Sequence, residues 1–285
     1  MRNLLFFRHC SGLFSSQNQF RPSRWLTVFL LTLLIGGGKS AEAETAQTAP
    51  PQLKSLLAQI DATANKHDVK AVMQFYSQNF TQSDGLTRQT LEQALTQLWQ
   101  RYPQLRYQTQ LLSWKPEKNA ILAETVTDIT GIASADNRNT LFNSTIKSQQ
   151  RFQGERIVRQ DILAERSQLS AGAKPPAIEV KLPEQVKTGQ QYNFDVIVQQ
   201  PLGDDYLLGA AVEEPVQANK YLKPTPIQLE LLSAGGLFKV GHAPATADSR
   251  WVSAVLIGAD GMTLVTQRLQ VVGGNAIAGS APPPK

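Results

Sequence analysis

From Leu53 to Tyr102 the apolar residues recur at helical spacing. Leu53, Leu56, Leu57, Ile60 and Ala64 stand at i, i+3, i+4, i+7 and i+11, one face of a helix. Asn65-Lys66-His67-Asp68 breaks the pattern, and Asp68 is suited to cap a second helix on which Val69, Val72, Met73 and Tyr76 repeat the spacing. The stretch from Asp68 to Phe80 therefore reads as a short amphipathic helix. The polar turn Thr81-Gln82-Ser83-Asp84-Gly85 follows, where Gly85 can take a positive φ and Asp84 can bond its own backbone. Thr87 or Thr90 caps a third helix, Thr90 forming a capping box with Gln93. Its stripe is Leu91, Leu95, Leu98 and Tyr102, with Trp99 beside it, and Pro103 ends it.

The period then changes. Leu105–Trp114, Ala120–Ile132, Leu141–Phe152 and Arg156–Arg166 are rich in Thr, Val, Ile, Leu and aromatics, and turn sequences separate them. Short turns between long strands predict antiparallel neighbours, and helices followed by such a meander predict an α+β layer. Small and polar residues from Ser167 to Pro176 read as a boundary. Beyond it the expected strands are Ile178–Leu182, Tyr192–Gln199, Tyr206–Val212, Ile227–Leu232, Leu237–Val240, Trp251–Ile257 and Met262–Val272. Tyr192, Phe194, Val196 and Val198 share one parity and are expected inside; Asp195 opposes them. Asp260-Gly261 predicts a hairpin turn with a positive φ. Strands and turns at this spacing predict an all-β sandwich.

The expected division is a signal peptide over 1–43, a linker over 44–52, an α+β domain over 53–168, a linker over 169–176, a β-sandwich over 177–272 and a disordered tail over 273–285. The signal rests on Arg21 and Arg24, the apolar run Trp25–Ile35, three glycines and Ala41-Glu42-Ala43 as the cleavage site. The run is shorter than the roughly 20 residues of a spanning helix, which favours cleavage after Ala43 and export to the periplasm or an equivalent lumen. The alternative is an uncleaved N-terminal membrane anchor, the only route to membrane contact.

The whole chain is formally +5, but removing residues 1–43 leaves 23 basic and 22 acidic side chains. That near-neutral balance gives no case for binding nucleic acid through its phosphates. Cys10 is the single cysteine and lies in the leader, so the mature chain is expected to fold without disulfides.

The order of helices, an Asp-Gly turn, a further helix and long strands resembles the nuclear transport factor 2-like, or SnoaL-like, superfamily. The matching residues are Phe75-Tyr76 and Phe80 ahead of Ser83-Asp84-Gly85, the Leu95–Trp99 helix, the Leu105–Trp114 strand and Phe152–Val158. The resemblance implies a cone, with a hollow between helices and a bent sheet, in a superfamily that holds both enzymes and non-catalytic binders. The second part resembles an immunoglobulin-like sandwich in plan. The expected fold class is thus an α+β cone, three helices on a curved antiparallel sheet, followed by an all-β immunoglobulin-like sandwich.

Catalysis in such a hollow needs a desolvated acid or base. The candidates are Tyr76, Asp84 and Asp128, none of which escapes a simpler role. Tyr76 completes an apolar stripe, Asp84 precedes a turn glycine, and Asp128 shares a strand face with Glu124, Leu122 and Val126. Arg159 and Asp161 read as a surface ion pair. The histidines beyond the leader are His67 and His242, neither on an expected pocket strand, whereas dehydratase and hydrolase members of the superfamily use a His–Asp pair. No metal-ligand spacing, phosphate loop or G-x-S-x-G motif is present; Asp204-Asp205 is a weak calcium signal, and no cofactor is expected. Tyr76, Trp99, Tyr107, Trp114, Phe142 and Phe152 are the expected lining of the hollow. The expected function is that of an exported non-catalytic module of the bacterial envelope, binding a protein partner or a small apolar ligand, with homodimerisation through the first sheet as a further mode. The alternative is a SnoaL-like isomerase, lyase or hydrolase, which a desolvated carboxylate and a phenol facing one point would mark.

Overall fold

The computed structural model describes residues 43–135, 138–200, 206–223, 225–232 and 235–273. Expectations for residues 1–42, the calcium signal at 204–205 and the tail over 274–285 lie outside them. Among the described residues no helix is long and apolar enough to cross a membrane.

A two-residue strand, β1 (Glu44–Thr45), precedes α1 (Pro51–Ala64), which starts on a proline where the missing N–H costs nothing. Leu53, Leu56, Leu57 and Ala64 are its buried face. Asp68 caps α2 (Val69–Val72), accepting from the Ala71 N–H at 3.0 Å. Asp68→Ala should lower the unfolding free energy by about 1 kcal/mol in a urea melt; no loss would mean that tertiary packing alone sets this turn.

The expected second helix stops early. After α2 and a 3-10 turn over Met73–Phe75, the chain becomes β2 (Tyr76–Gln82). Val69 to Tyr76 has helical spacing, but from Tyr76 the aromatic and Thr-bearing stretch finds an open strand edge instead, running parallel to the strand Arg156–Gly172. Gly85 follows with φ +84°. Thr87, not Thr90, is the N-cap of α3 (Arg88–Arg101): the Thr90 N–H donates to Thr87 Oγ1, and the Thr87 N–H donates to Thr90 Oγ1 at 2.8 Å.

The strands β3 (Arg106–Glu117), β4 (Ala120–Ala135), β5 (Arg138–Gln153) and β6 (Arg156–Gly172) form the expected antiparallel meander. β6 runs on to Gly172, into residues 169–172 that composition marked as linker, because both its edges are paired there. Next come β7 (Ile178–Lys181), β8 (Gln185–Lys187), β9 (Gln191–Val198), β10 (Leu208–Pro215), β11 (Glu230–Leu231), β12 (Gly236–His242), β13 (Asp248–Gly258) and β14 (Gly261–Val272). β8 was not expected, and only Glu230–Leu231 of the expected Ile227–Leu232 strand is paired. The turn at Asp260 needs no positive φ at Gly261. A side chain at Gly261 would instead lie 2.6 Å from the Ala171 carbonyl, so close backbone approach is what demands glycine.

Three helices thus pack on a large, mainly antiparallel sheet, ordered β1-β3-β4-β5-β6-β14-β13-β10-β11 among the described residues; a separate three-stranded antiparallel sheet is ordered β12-β9-β7. Tyr192, Phe194 and Val196 of β9 meet Val252, Ala254 and Leu256 of β13 in the core between the two sheets. The opposite face of β13 and β14 joins the other core, where Val255 and Leu264 cluster with Trp99, Tyr102, Leu105 and Phe142. With both faces covered, Trp251 to Leu256 is buried without alternation.

β6 is the hinge of this arrangement. One edge pairs β5; the other pairs β2 at its start and β14 at its end. Side chains seal the interval between them. The Ile162 N–H donates to Ser83 Oγ at 3.1 Å, and Gln270 Nε2 donates to the Ile162 and Leu163 carbonyls at 3.3 Å each.

Candidate functional site

A cavity of about 220 Å³ lies between α1, α3 and the inner face of β3 to β6. Its apolar walls come from residues of the helical stripes, among them Ile60, Leu91, Leu95 and Leu98, facing Ile129 and Ile146 of the sheet. Trp99 Nε1 donates to the Tyr107 hydroxyl at 2.7 Å, which gives the indole N–H its acceptor inside the wall.

Of the expected lining residues, Tyr76, Trp99 and Tyr107 stand on the cavity. Phe142 is buried and stacked on Tyr102 at 5.1 Å between centroids. Phe152 fills the separate core under α1, and Trp114 packs against that core with its Nε1 donating to Thr48 Oγ1 at 3.2 Å. Asp128 is exposed on the outer face of β4 and accepts from Thr145 Oγ1 at 2.6 Å. On that same outer face Glu124 pairs with Lys147 at 2.7 Å. Arg159 and Asp161 form the expected ion pair at 2.6 Å. His67 takes φ +55° and its Nε2 meets the Leu105 carbonyl at 2.8 Å, fixing the turn after α1. Among the described residues no group of His, Cys, Asp and Glu is arranged to hold a metal.

Asp84 is more than a turn residue. It is 8% exposed, and its carboxylate takes a two-pronged bond from Arg268 of β14, Nη1 to Oδ1 at 2.9 Å and Nη2 to Oδ2 at 2.7 Å. The Tyr221 hydroxyl also donates to Asp84. On its other side Arg268 Nη2 donates to Glu165 Oε2 at 3.0 Å, and Trp251 Nε1 donates to the same oxygen at 3.2 Å. One guanidinium, 2% exposed, therefore serves two buried carboxylates, from the β2–α3 turn and from β6. Glu165 and Tyr221 also line the cavity.

The electrostatics follow from that burial. Desolvation pushes the Glu165 carboxyl up to about 7; Arg268 opposes the shift and Asp84 adds to it. Arg268 is held above its usual range, its own desolvation outweighed by Glu165 and Asp84. Burial raises the Tyr76 phenol to about 12, and burial together with Asp84 and Glu165 raises Tyr221 well above its usual value. Asp61, also on the cavity, accepts from the Thr109 N–H and hydroxyl at 2.6 Å each, tying α1 to β3.

Strand parity hides Glu165 in the sequence. Leu163 is an extra residue on β6, between Ile162 opposite Ser148 and Ala164 opposite Lys147. This bulge swaps the inward parity, so Ile162 points in before it and Glu165, Ser167 and Leu169 point in after it. A carboxylate amid strand residues that otherwise bury was the available signal, but only the register shift says on which side it falls.

Residues 173–272 match the model of a family described as a domain of unknown function, DUF8623. Arg268, Trp251 and Tyr221 fall within that stretch, and Asp84 and Glu165 precede it. No curated protein matches the chain. Among solved structures, Bd1075 of Bdellovibrio bacteriovorus is similar at 14% identity and a TM-score of 0.29, over 39% of this chain and 38% of its own.

Proposed function

We propose that this is an exported, non-catalytic binding module of the bacterial envelope whose cavity takes a small, mainly apolar ligand. On this reading the helical part is a nuclear transport factor 2-like domain, and the part beyond residue 176 is an immunoglobulin-like sandwich. The observation that carries it is a mainly apolar hollow whose neighbouring carboxylates are already bonded within the protein. Asp61 is bound by Thr109, and Asp84 and Glu165 by Arg268. Held in this way, the carboxylates serve on this reading as wall, and Glu165, pushed up to about 7 by burial, is the one on which the second reading turns. The cavity volume of about 220 Å³ is smaller than the roughly 300–1,000 Å³ of drug-sized sites, which suits a compact ligand. The outer face of the first sheet, with Glu124, Asp128 and Lys147, is the surface proposed for a second copy or a protein partner.

Native mass spectrometry of the protein from its own host tests these points together. The expected species starts at Glu44 and carries a small retained molecule. Ala94→Trp, which fills the cavity from α3, should lose that molecule with the circular dichroism spectrum unchanged. Retention of the same molecule by that variant would remove the cavity as the site.

One observation favours a second reading, acid/base isomerase, lyase or hydrolase chemistry. Glu165, at about 7, and the Tyr76 phenol line the same cavity. Under it, the extracted molecule would be converted by fresh protein, and Glu165→Gln and Tyr76→Phe would each abolish the conversion. Under the binding reading the molecule returns unchanged.

A further inference from the structure

The polar end of the cavity is a row of amides. Gln82 of β2 is in register with Gln160 of β6, and Gln160 is in register with Gln150 of β5. The three side chains lie across three adjacent strands and all line the cavity, together with Ser148. Gln160 Nε2 donates to Ser148 Oγ at 3.4 Å. Gln150 is 8% exposed, yet its Oε1 has no hydrogen-bond partner among the described residues, and the same holds for the buried Oε1 of Gln82. Leaving a buried acceptor unmet costs about 1–3 kcal/mol, and native interiors rarely tolerate two in one row without use. Apolar residues at these positions would have continued the wall formed by Ile129 and Ile146.

We propose that the cavity takes a small uncharged molecule with an apolar body and a carboxamide-type end, carrying both an N–H donor and a carbonyl acceptor, seated on the row Gln82–Gln160–Gln150. The inference rests on the binding reading above and names the ligand class for it. The two open Oε1 atoms call for donors. The amide nitrogens of the row call for an acceptor, and because a glutamine amide can present either end, only a group with both functions satisfies the row in every orientation. The ligand is neutral because the row supplies dipoles and no free counter-charge, so an ionised head would be buried unpaired. The apolar body lies against Leu95, Leu98 and Ile146.

Nuclear magnetic resonance titration of the full-length protein with benzamide, toluene and benzoate tests this. Benzamide should bind at least about tenfold more tightly than either of the others, the value of one hydrogen bond beyond shared apolar contact. Gln150→Leu should bring benzamide to the level of toluene, leave toluene unchanged and raise the melting temperature, since an unmet buried acceptor is removed. Should that variant not fold, Gln82→Leu, at a less buried position, carries the same expectation. Equal affinity for toluene and benzamide in the natural protein, or unchanged benzamide binding in the leucine variant, would overturn the carboxamide end while leaving the cavity a binding site. Binding of none of the three probes would overturn both.

Discussion

Arg268→Met should lower the unfolding free energy by about 3–5 kcal/mol near pH 8, the cost of leaving buried carboxylates without their cation. Two carboxylates depend on this side chain, Asp84 through both terminal nitrogens and Glu165 through Nη2. Neither carboxylate has solvent to fall back on, at 8% and 3% exposure. Methionine fills much of the volume, so the loss is electrostatic rather than a cavity effect. The loss should shrink toward pH 5, where Glu165 accepts a proton and only Asp84 remains uncompensated. Arg268→Lys should fall between, because an ammonium keeps the charge but cannot reproduce the fork on Asp84. Adding Asp84→Asn and Glu165→Gln to Arg268→Met should restore at least half of the loss, since the stranded charges are then gone. Urea melts of the set decide it; a loss below about 1 kcal/mol for Arg268→Met, or no recovery in the triple variant, would show that the network does not hold the two halves together.

Stability should also fall with rising pH through Glu165. Its carboxyl stands at about 7 in the folded chain against 4.5 unfolded. Between those values the folded chain keeps a proton that the unfolded chain has released. The unfolded state therefore binds fewer protons there, and the unfolding free energy declines as pH rises. The total is roughly 3 kcal/mol across the window, complete once pH exceeds the folded value. Glu165→Gln removes the titrating group and keeps an acceptor for Trp251 and Arg268. The difference between natural protein and variant, measured by urea melts from pH 4 to 8, should slope through this window and be flat on either side. Parallel profiles would mean that Glu165 titrates at the same pH in the folded and unfolded chain. The same buried proton underlies the enzymatic reading, so a flat difference would weaken that reading as well.

The sequence carried the local structure well where one element decides its own shape. The stripe of α1, the Asp68 cap, the positive φ at Gly85 and the four-strand meander all follow from spacing and turn chemistry that act within a few residues. It carried the second half less evenly. The buried parity of β9 was legible, but β8 and the true length of β6 were not, since a strand's extent depends on which partner edge is free. Tyr76–Gln82 shows the limit plainly. Its apolar spacing fits a helix, and only the open edge of β6 makes it a strand.

The candidate site divides in the same way. Trp99, Tyr107 and Tyr76 follow from aromatic content, and they do reach the cavity, although only Trp99 stands on a helix. Phe142, Phe152 and Trp114 have the same composition but lie in other parts of the core, because strand position, not residue type, sets how deep a side chain falls. The Gln82–Gln160–Gln150 row joins residues from three strands, and register alone brings them level. Periodicity and capping acted over short range, so the chain by itself determined its helices, its meander and the inward face of β9. Pairing across β6, the bulge at Leu163 and the descent of Arg268 between Asp84 and Glu165 join residues up to 184 positions apart. Only the assembled sheet, which fixes register and removes water from those carboxylates, could decide them.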